Sequence, residues 1–250
     1  MLINIVQFSG GKDSTCMLLM MLERGIGVDK IIFCDTGKEF PQMYEHIKKV
    51  DDYIYKNYGK RIITIKAEKD FDYWMFDHIK TKGENKGEKG YGWATMGQRW
   101  CTSRLKVEPT KKYLKEVGEK NYKLFIGIAA DEPERIKEHN YPLHEWGITE
   151  KEALEYCYSK GFDWGGLYEV FNRVSCWCCP LQPLPELRKL RSEFPDMWQE
   201  LLKMETSQNY KFKFKFKPNY SVQELDERFA YEDKHGITRN WKKVKQSLSV

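Results

Sequence analysis

At 250 residues, with 41% hydrophobic, 14% aromatic and 32% charged positions, the chain can bury a sizeable core as one large α/β domain or a core domain with a small appendage, and its size demands no disulfide staple. No apolar run approaches the roughly 20 residues of a membrane span, and the opening MLINIVQFSGG lacks the basic region and long apolar core of a signal peptide, so the expected compartment is the cytoplasm, with no membrane partner. A formal net charge of +5 suits a phosphate-rich ligand and permits nucleic acid without requiring it.

Ile3 to Phe8 is a short β-branched run, followed by Ser-Gly-Gly and the helical pattern TCMLLMMLERG, which stops at Gly25. This reads as strand, glycine-rich turn, helix. The unit repeats with a strand at Lys30 to Cys34, a helix at Pro41 to Tyr58, a strand at Arg61 to Lys66, a helix at Pro109 to Val117 and a strand at Lys123 to Ile128. Such alternation predicts a parallel sheet covered by helices on both faces. Between the third strand and its helix, Thr81 to Gly92 is glycine- and charge-rich and reads as a mobile surface loop, either a lid or a plain solvated excursion.

Beyond Gly147 the character changes. Thr149 and Glu152 form a capping-box pattern opening a helix that ends near Lys160, and LPELRKLRSEFPDMWQELLKME reads as two helices broken at Pro195. KFKFKFKP, Lys211 to Pro218, alternates strictly and predicts a strand with Phe212, Phe214 and Phe216 on one face and lysines on the other. The lysines suit either a phosphate backbone or protection of a sheet edge. The expected division is a nucleotide-binding α/β domain over residues 1–147 and a cysteine-bearing, mainly helical region over 148–250.

SGGKDS, Ser9 to Ser14, sits between the first strand and the first helix. Its glycines let successive N–H groups point at one anion, Lys12 adds positive charge, and the helix N-terminus adds its dipole. It is neither the Walker A spacing nor the dinucleotide Gly-x-Gly-x-x-Gly. The simpler alternative is a glycine turn with a serine cap.

Seven cysteines in a reducing compartment point to metal or catalysis rather than disulfides. Cys16 and Cys34 lie in apolar runs and Cys157 in a helix, so these three read as buried small hydrophobes. SCWCCP, Ser175 to Pro180, gathers Cys176, Cys178 and Cys179; Cys101, beside Arg99 and Arg104 before a helix start, sits where thiolate is favoured. Four thiolates suit [4Fe–4S] or structural Zn²⁺, and spacing alone does not separate them. An inert packed corner remains the plain alternative.

Several segments together resemble a known family. SGGKDS after a first strand resembles the PP-loop ATP pyrophosphatases and the phosphoadenosine phosphosulfate (PAPS) reductase family. CDTGKEFP at Cys34 to Pro41, RWCTSRLKVEP at Arg99 to Pro109, GIAADEPER at Gly127 to Arg135, with Ala129 in place of an arginine, and CWCCP resemble further segments of that family. The resemblance implies an adenine nucleotide α-hydrolase-like fold with ligand sites at the carboxyl ends of the strands. It implies ATP, PAPS or adenylylsulfate held by Ser9, Gly10, Gly11, Lys12, Asp13 and Ser14, with Asp35, Thr36 and Gly127 nearby. Arg104, Lys106 and Arg135 are candidates to neutralise phosphate or a sulfur-bearing anion, and Asp35 and Asp131 to bind Mg²⁺. Similarity to cluster-bearing adenylylsulfate reductases points to [4Fe–4S] on Cys101, Cys176 and Cys179, with Cys178 as fourth ligand or as a free catalytic or sulfur-accepting thiol; Thr102 replaces one expected cysteine.

The reductases of this family use a cysteine in a C-terminal Glu-Cys-Gly segment, and none of the seven cysteines lies beyond Cys179. The expected activity is therefore an ATP pyrophosphatase coupled to sulfur transfer, with Lys12, Asp13 and Cys178 as catalytic candidates. Its acceptor would be a tRNA or DNA component or a small molecule; the sulfur donor is open, as is a homodimer. The alternatives are a sulfonucleotide reductase and a non-catalytic nucleotide- and metal-binding module.

Overall fold

The computed structural model describes residues 2–206 and 214–237. Four parallel strands, β1 (Ile3–Gln7), β2 (Lys30–Asp35), β3 (Ile62–Lys66) and β4 (Tyr122–Ile126), lie in the order β3-β2-β1-β4. Two successive crossovers run to one side of β1, and β4 then returns to the other. The carboxyl ends of β1 and β4 therefore flank the point at which strand order reverses, where open α/β sheets form their ligand crevice.

Two helices, α1 (Lys12–Glu23) and α2 (Pro41–Tyr58), cover one face; the short α3 (Trp100–Thr102) runs through a π-helical turn (Ser103–Val107) into α4 (Glu108–Glu116), which covers part of the other. The side chains divide accordingly. Val6, Phe8, Ile31 and Phe33 join the larger core under α1 and α2, while Ile5, Ile32, Cys34 and Ile65 meet Leu114 of α4. This is the period-2 alternation of strands buried on both faces.

After β4 come α5 (Pro142–Glu145), α6 (Glu150–Ser159), α7 (Leu167–Val170), α8 (Leu184–Glu193), α9 (Pro195–Glu205) and α10 (Val222–Lys234). The Thr149–Glu152 capping box is present in full, and α8 and α9 meet at Phe194 ahead of Pro195. α6 packs along α1, and the larger core continues without a break from Phe8 and Met17 to Leu187, Trp198 and Phe229.

One expectation changes. Of the alternating stretch, residues 211–213 lie outside the described residues, 214–216 is irregular with bends, and 217–220 is a turn closed by a bridge between Lys217 and Tyr220. Phe214 is exposed whereas Phe216 is buried edge-on against Trp93, so the two do not share a buried face. The stretch 81–92 folds back on itself: Gly87 N–H donates to Lys80 O at 2.8 Å and Lys80 N–H to Glu88 O at 2.9 Å. Among the described residues no helix is long and apolar enough to cross a membrane.

Candidate nucleotide and thiol site

Ser9 to Ser14 turns directly from β1 into α1. Gly10 adopts φ +82°, and a Cβ there would meet Met43 Sδ at 2.7 Å, so the turn requires glycine. Ser14 Oγ accepts from the Ser9 amide at 3.1 Å, donates to Gly11 O at 3.0 Å, and lies 3.0 Å from Ser9 Oγ. Among the described residues the amides of Gly10, Asp13 and Ser14 find no acceptor, which leaves N–H groups at the start of α1 open to an anion. Gly127, just beyond β4, packs so closely that a Cβ would lie 2.6 Å from Ser14 N and 2.8 Å from Asp13 C. The glycine at the end of β4 is what lets the loop settle against that strand.

Lys12 is buried, and its Nζ lies 2.8 Å from Glu150 Oε1 and 3.7 Å from Asp13 Oδ1. Asp13, Glu132 and Glu150 each place a carboxylate oxygen within 4.8 Å of the others. Burial, with the charges of Glu150 and Glu132, outweighs Lys12 and raises Asp13 to about 6. Three converging oxygens fit a hard divalent cation such as Mg²⁺.

The carboxylates named from sequence are engaged elsewhere. Asp35 Oδ1 accepts from Tyr44 OH at 2.7 Å and Gly37 N–H at 2.8 Å, and its Oδ2 lies 3.0 Å from Lys66 Nζ. Burial opposes its charge, but these contacts hold the carboxyl below the ordinary range. Asp131 Oδ1 accepts from the Glu150 amide at 2.9 Å and so secures the start of α6. Arg135 pairs with Glu132, which keeps the guanidinium beside the acidic trio.

A cavity of about 300 Å³ joins the loop to the cysteines. Its walls carry Ser9, Gly11, Thr36, Lys106 and Arg135 together with Cys101, Cys176, Cys178 and Cys179, and two further arginines, Arg99 and Arg173. Arg104 is not brought into it: the side chain binds Glu108 at 2.7 Å, lies over the Trp74 ring, and faces a separate cavity along β3. Cys16, Cys34 and Cys157 are buried.

The cysteine corner is tied down through its backbone. Trp177 N–H donates to Lys38 O at 3.1 Å, Cys179 N–H to Cys176 O at 3.0 Å, and Gln182 Nε2 to Cys176 O at 2.9 Å; Lys217 Nζ reaches the carbonyls of Pro180 and Gln182. Cys176 Sγ donates to Glu39 Oε1 at 3.4 Å, and Thr36 Oγ1 donates to the same oxygen at 3.2 Å. Burial pushes the Cys176, Cys178 and Cys179 thiols up, Glu39 pushing Cys176 further and Lys106 opposing. Burial also works against the charge on Lys106, but Cys176 and Glu39 beside it hold its pKa above the ordinary value. Metal binding at these thiols must therefore displace protons.

Sequence reading missed Glu39, Glu132, Glu150, Trp164 and Tyr168. Glu39 had a signal, a charged residue just after the second strand's Asp-Thr-Gly; Glu150 and Tyr168 had none, because they meet Lys12 only across 138 and 156 residues of chain.

The sequence model of the phosphoadenosine phosphosulfate reductase domain matches residues 3–182. An uncharacterized protein of Methanocaldococcus jannaschii is 31% identical over 219 residues, covering 78% of this chain and 40% of that protein. A second from the same organism is 26% identical over 212 residues, covering 78% and 46%. An uncharacterized nin region protein of Escherichia phage lambda is 35% identical over 148 residues, covering 54% and 51%. The chain thus spans about half or less of the length of these relatives.

Proposed function

The chain belongs to the phosphoadenosine phosphosulfate reductase domain family, and we propose that it binds ATP in the Ser9–Ser14 loop and couples cleavage between the α- and β-phosphates to sulfur transfer. The observation that carries this reading is the single cavity lined by both the phosphate loop and four cysteines. A phosphate-activating centre and a sulfur-handling centre share one space.

In the first step a carbonyl oxygen of the acceptor, a nucleic-acid base or a small molecule, attacks the α-phosphorus. The bond from that phosphorus to the bridging oxygen breaks, and pyrophosphate leaves with the electron pair. The free amides of Gly10, Asp13 and Ser14 and the ammonium of Lys12 would neutralise the leaving charge. Asp13, Glu132 and Glu150 would hold Mg²⁺ there. A hydrosulfide-class nucleophile then attacks the activated carbon; the C–O bond breaks, AMP departs, a proton is lost, and C=S remains. Arg135 and Lys106, on the cavity wall, would carry the charge of AMP and of the incoming anion.

Four thiols facing one cavity suit an iron–sulfur group or one zinc ion, and the likeness to cluster-bearing adenylylsulfate reductases favours the cluster. Cys101, Cys176 and Cys179 would hold a [4Fe–4S] cluster and leave one iron without a protein ligand as a place for the incoming sulfur, with Cys178 free beside it.

The test is anaerobic incubation of the purified protein with Mg²⁺, ATP, sodium sulfide and pools of tRNA, DNA and small acceptors, with pyrophosphate and AMP measured together. Acceptor-dependent release of both in equal amounts is expected. Sulfite release from PAPS or adenylylsulfate with a thiol reductant, and no pyrophosphate from ATP, would make the chain a reductase instead. ATP binding without turnover of either kind would make it a nucleotide-binding module.

A further inference from the structure

Residues 163–168, DWGGLY, grip the phosphate loop at two backbone points. Trp164 Nε1 donates to Gly10 O at 2.7 Å, and the Lys12 amide donates to Tyr168 OH at 2.9 Å. The grip is held in an unfavourable backbone: Trp164, Gly165 and Gly166 have φ of 53°, 58° and 82°, and Trp164 is the only non-glycine residue with positive φ among those described. A tryptophan in the left-handed region persists only when its surroundings fix it. Its indole stacks on His46 at 4.2 Å and meets the Tyr168 ring edge-on at 4.8 Å, so the tyrosine stands against a fixed wall.

The Tyr168 hydroxyl is half used. Its oxygen accepts from Lys12, but its hydrogen has no acceptor among the described residues. The group lies against the loop itself, since a Cβ on Gly11 would come within 3.3 Å of it. Burial raises its pKa, so the hydrogen stays in place. This half-buried hydroxyl hydrogen, with no acceptor among the described residues, is open to a ligand oxygen.

We propose that Tyr168 is a phosphate-binding residue: fixed by the Lys12 amide, its hydroxyl donates to an oxygen of the phosphate group held by Ser9 to Ser14. This rests on reading that loop as the cradle for nucleotide phosphates. Tyr168 thereby extends the cradle with a neutral donor from a segment 156 residues away. It favours ligands that place phosphate in the loop over those presenting only a nucleoside.

Calorimetric titration of wild type and Tyr168→Phe with ATP, inorganic pyrophosphate and adenosine tests this, with thermal melts on both proteins. A hydrogen bond to a charged oxygen predicts about tenfold or greater weakening for ATP and pyrophosphate. Adenosine affinity should change less than twofold, with a melting temperature close to wild type. Unchanged or tighter ATP and pyrophosphate binding in the variant would overturn the assignment. Equal losses for all three ligands, or a large fall in melting temperature, would make Tyr168 a packing residue only. Wild-type protein that binds ATP no better than adenosine would sink the phosphate-cradle reading itself, and this assignment with it.

Discussion

The two halves of the shared cavity are built in opposite ways. The phosphate half is backed by regular structure: β1 and α1 present the loop, Gly127 at the end of β4 abuts it, and Glu150 and Tyr168 secure Lys12 at its side chain and its amide. The thiol half is assembled from irregular segments, with Cys101 in one turn of helix and the other three cysteines in a corner held by carbonyls of its own and neighbouring turns. Its sulfurs face one space but make few bonds across it. The first half is fixed by side chains and glycines of neighbouring elements; the second is fixed mainly through its backbone.

That contrast predicts the largest effect at Gly127. Alanine there would place a methyl 2.6 Å from backbone, not from a yielding side-chain tip, so either β4 or the loop must move. Overpacking of this kind costs about 1–3 kcal/mol, and denaturant unfolding should show a loss in that range, with nucleotide binding abolished. A fully stable Gly127→Ala protein that still binds ATP would mean that the phosphate half is as adaptable as the thiol half.

The thiol half should respond through its occupant. Protein purified anaerobically should contain iron and acid-labile sulfide in equal amounts, and Cys101→Ser or Cys176→Ser should lose most of both while keeping ATP affinity. Because burial keeps Cys176, Cys178 and Cys179 protonated, metal loading should release protons and run faster as pH rises. Colourless protein that takes up stoichiometric zinc and no iron would replace the cluster. Protein that takes up neither would leave the corner as packing around Trp177.

Lys12→Ala should act on the other half alone. Removing one charged contact to phosphate is expected to weaken ATP about 10- to 100-fold, measured by titration, with metal content unchanged. Unchanged ATP affinity would remove Lys12 from the cradle.

What sequence could show follows the same division. The strand–loop–helix units are local, punctuated by glycines and by a change of hydrophobic period, and the Ser9–Ser14 cradle is contained in six residues. Cys101 and Cys176 to Cys179 could be paired by counting thiols and by family resemblance. The acidic trio could not, because Asp13, Glu132 and Glu150 come from three elements whose meeting depends on how α6 docks on α1. Asp35 looked equally suited to a cation, and only the fold shows Tyr44, Gly37 and Lys66 already spending its oxygens. The Phe–Lys alternation misled for a related reason. Period 2 describes which way side chains point in an extended chain, but this segment bends at residues 214 and 216, so Phe216 enters the core while Phe214 does not.

The smallest expected effect in wild type arises where the phosphate half meets the core. His46, stacked on Trp164 and 3.1 Å from Thr15 Oγ1, is lowered to about 3, chiefly by burial and then by Lys49. Its folded pKa lies below the unfolded value near 6.5, so its stabilising contribution is present above that pH and is lost as pH falls toward 3. Asp13 has the opposite sign: raised to about 6 from 3.8, it stabilises the protonated fold below about 4 and loses that contribution as pH rises through 6. Between pH 4 and 6 the two oppose each other, and the wild-type protein should show a nearly flat stability profile by chemical denaturation. Asp13→Asn removes one side of the balance and should expose a loss of about 1–2 kcal/mol between pH 6.5 and 5, while His46→Phe should gain stability on acidification over the same range. If both variants keep the wild-type slope, neither group is set by its burial beneath the loop, and the preorganisation ascribed to the phosphate half does not extend into the core that supports it.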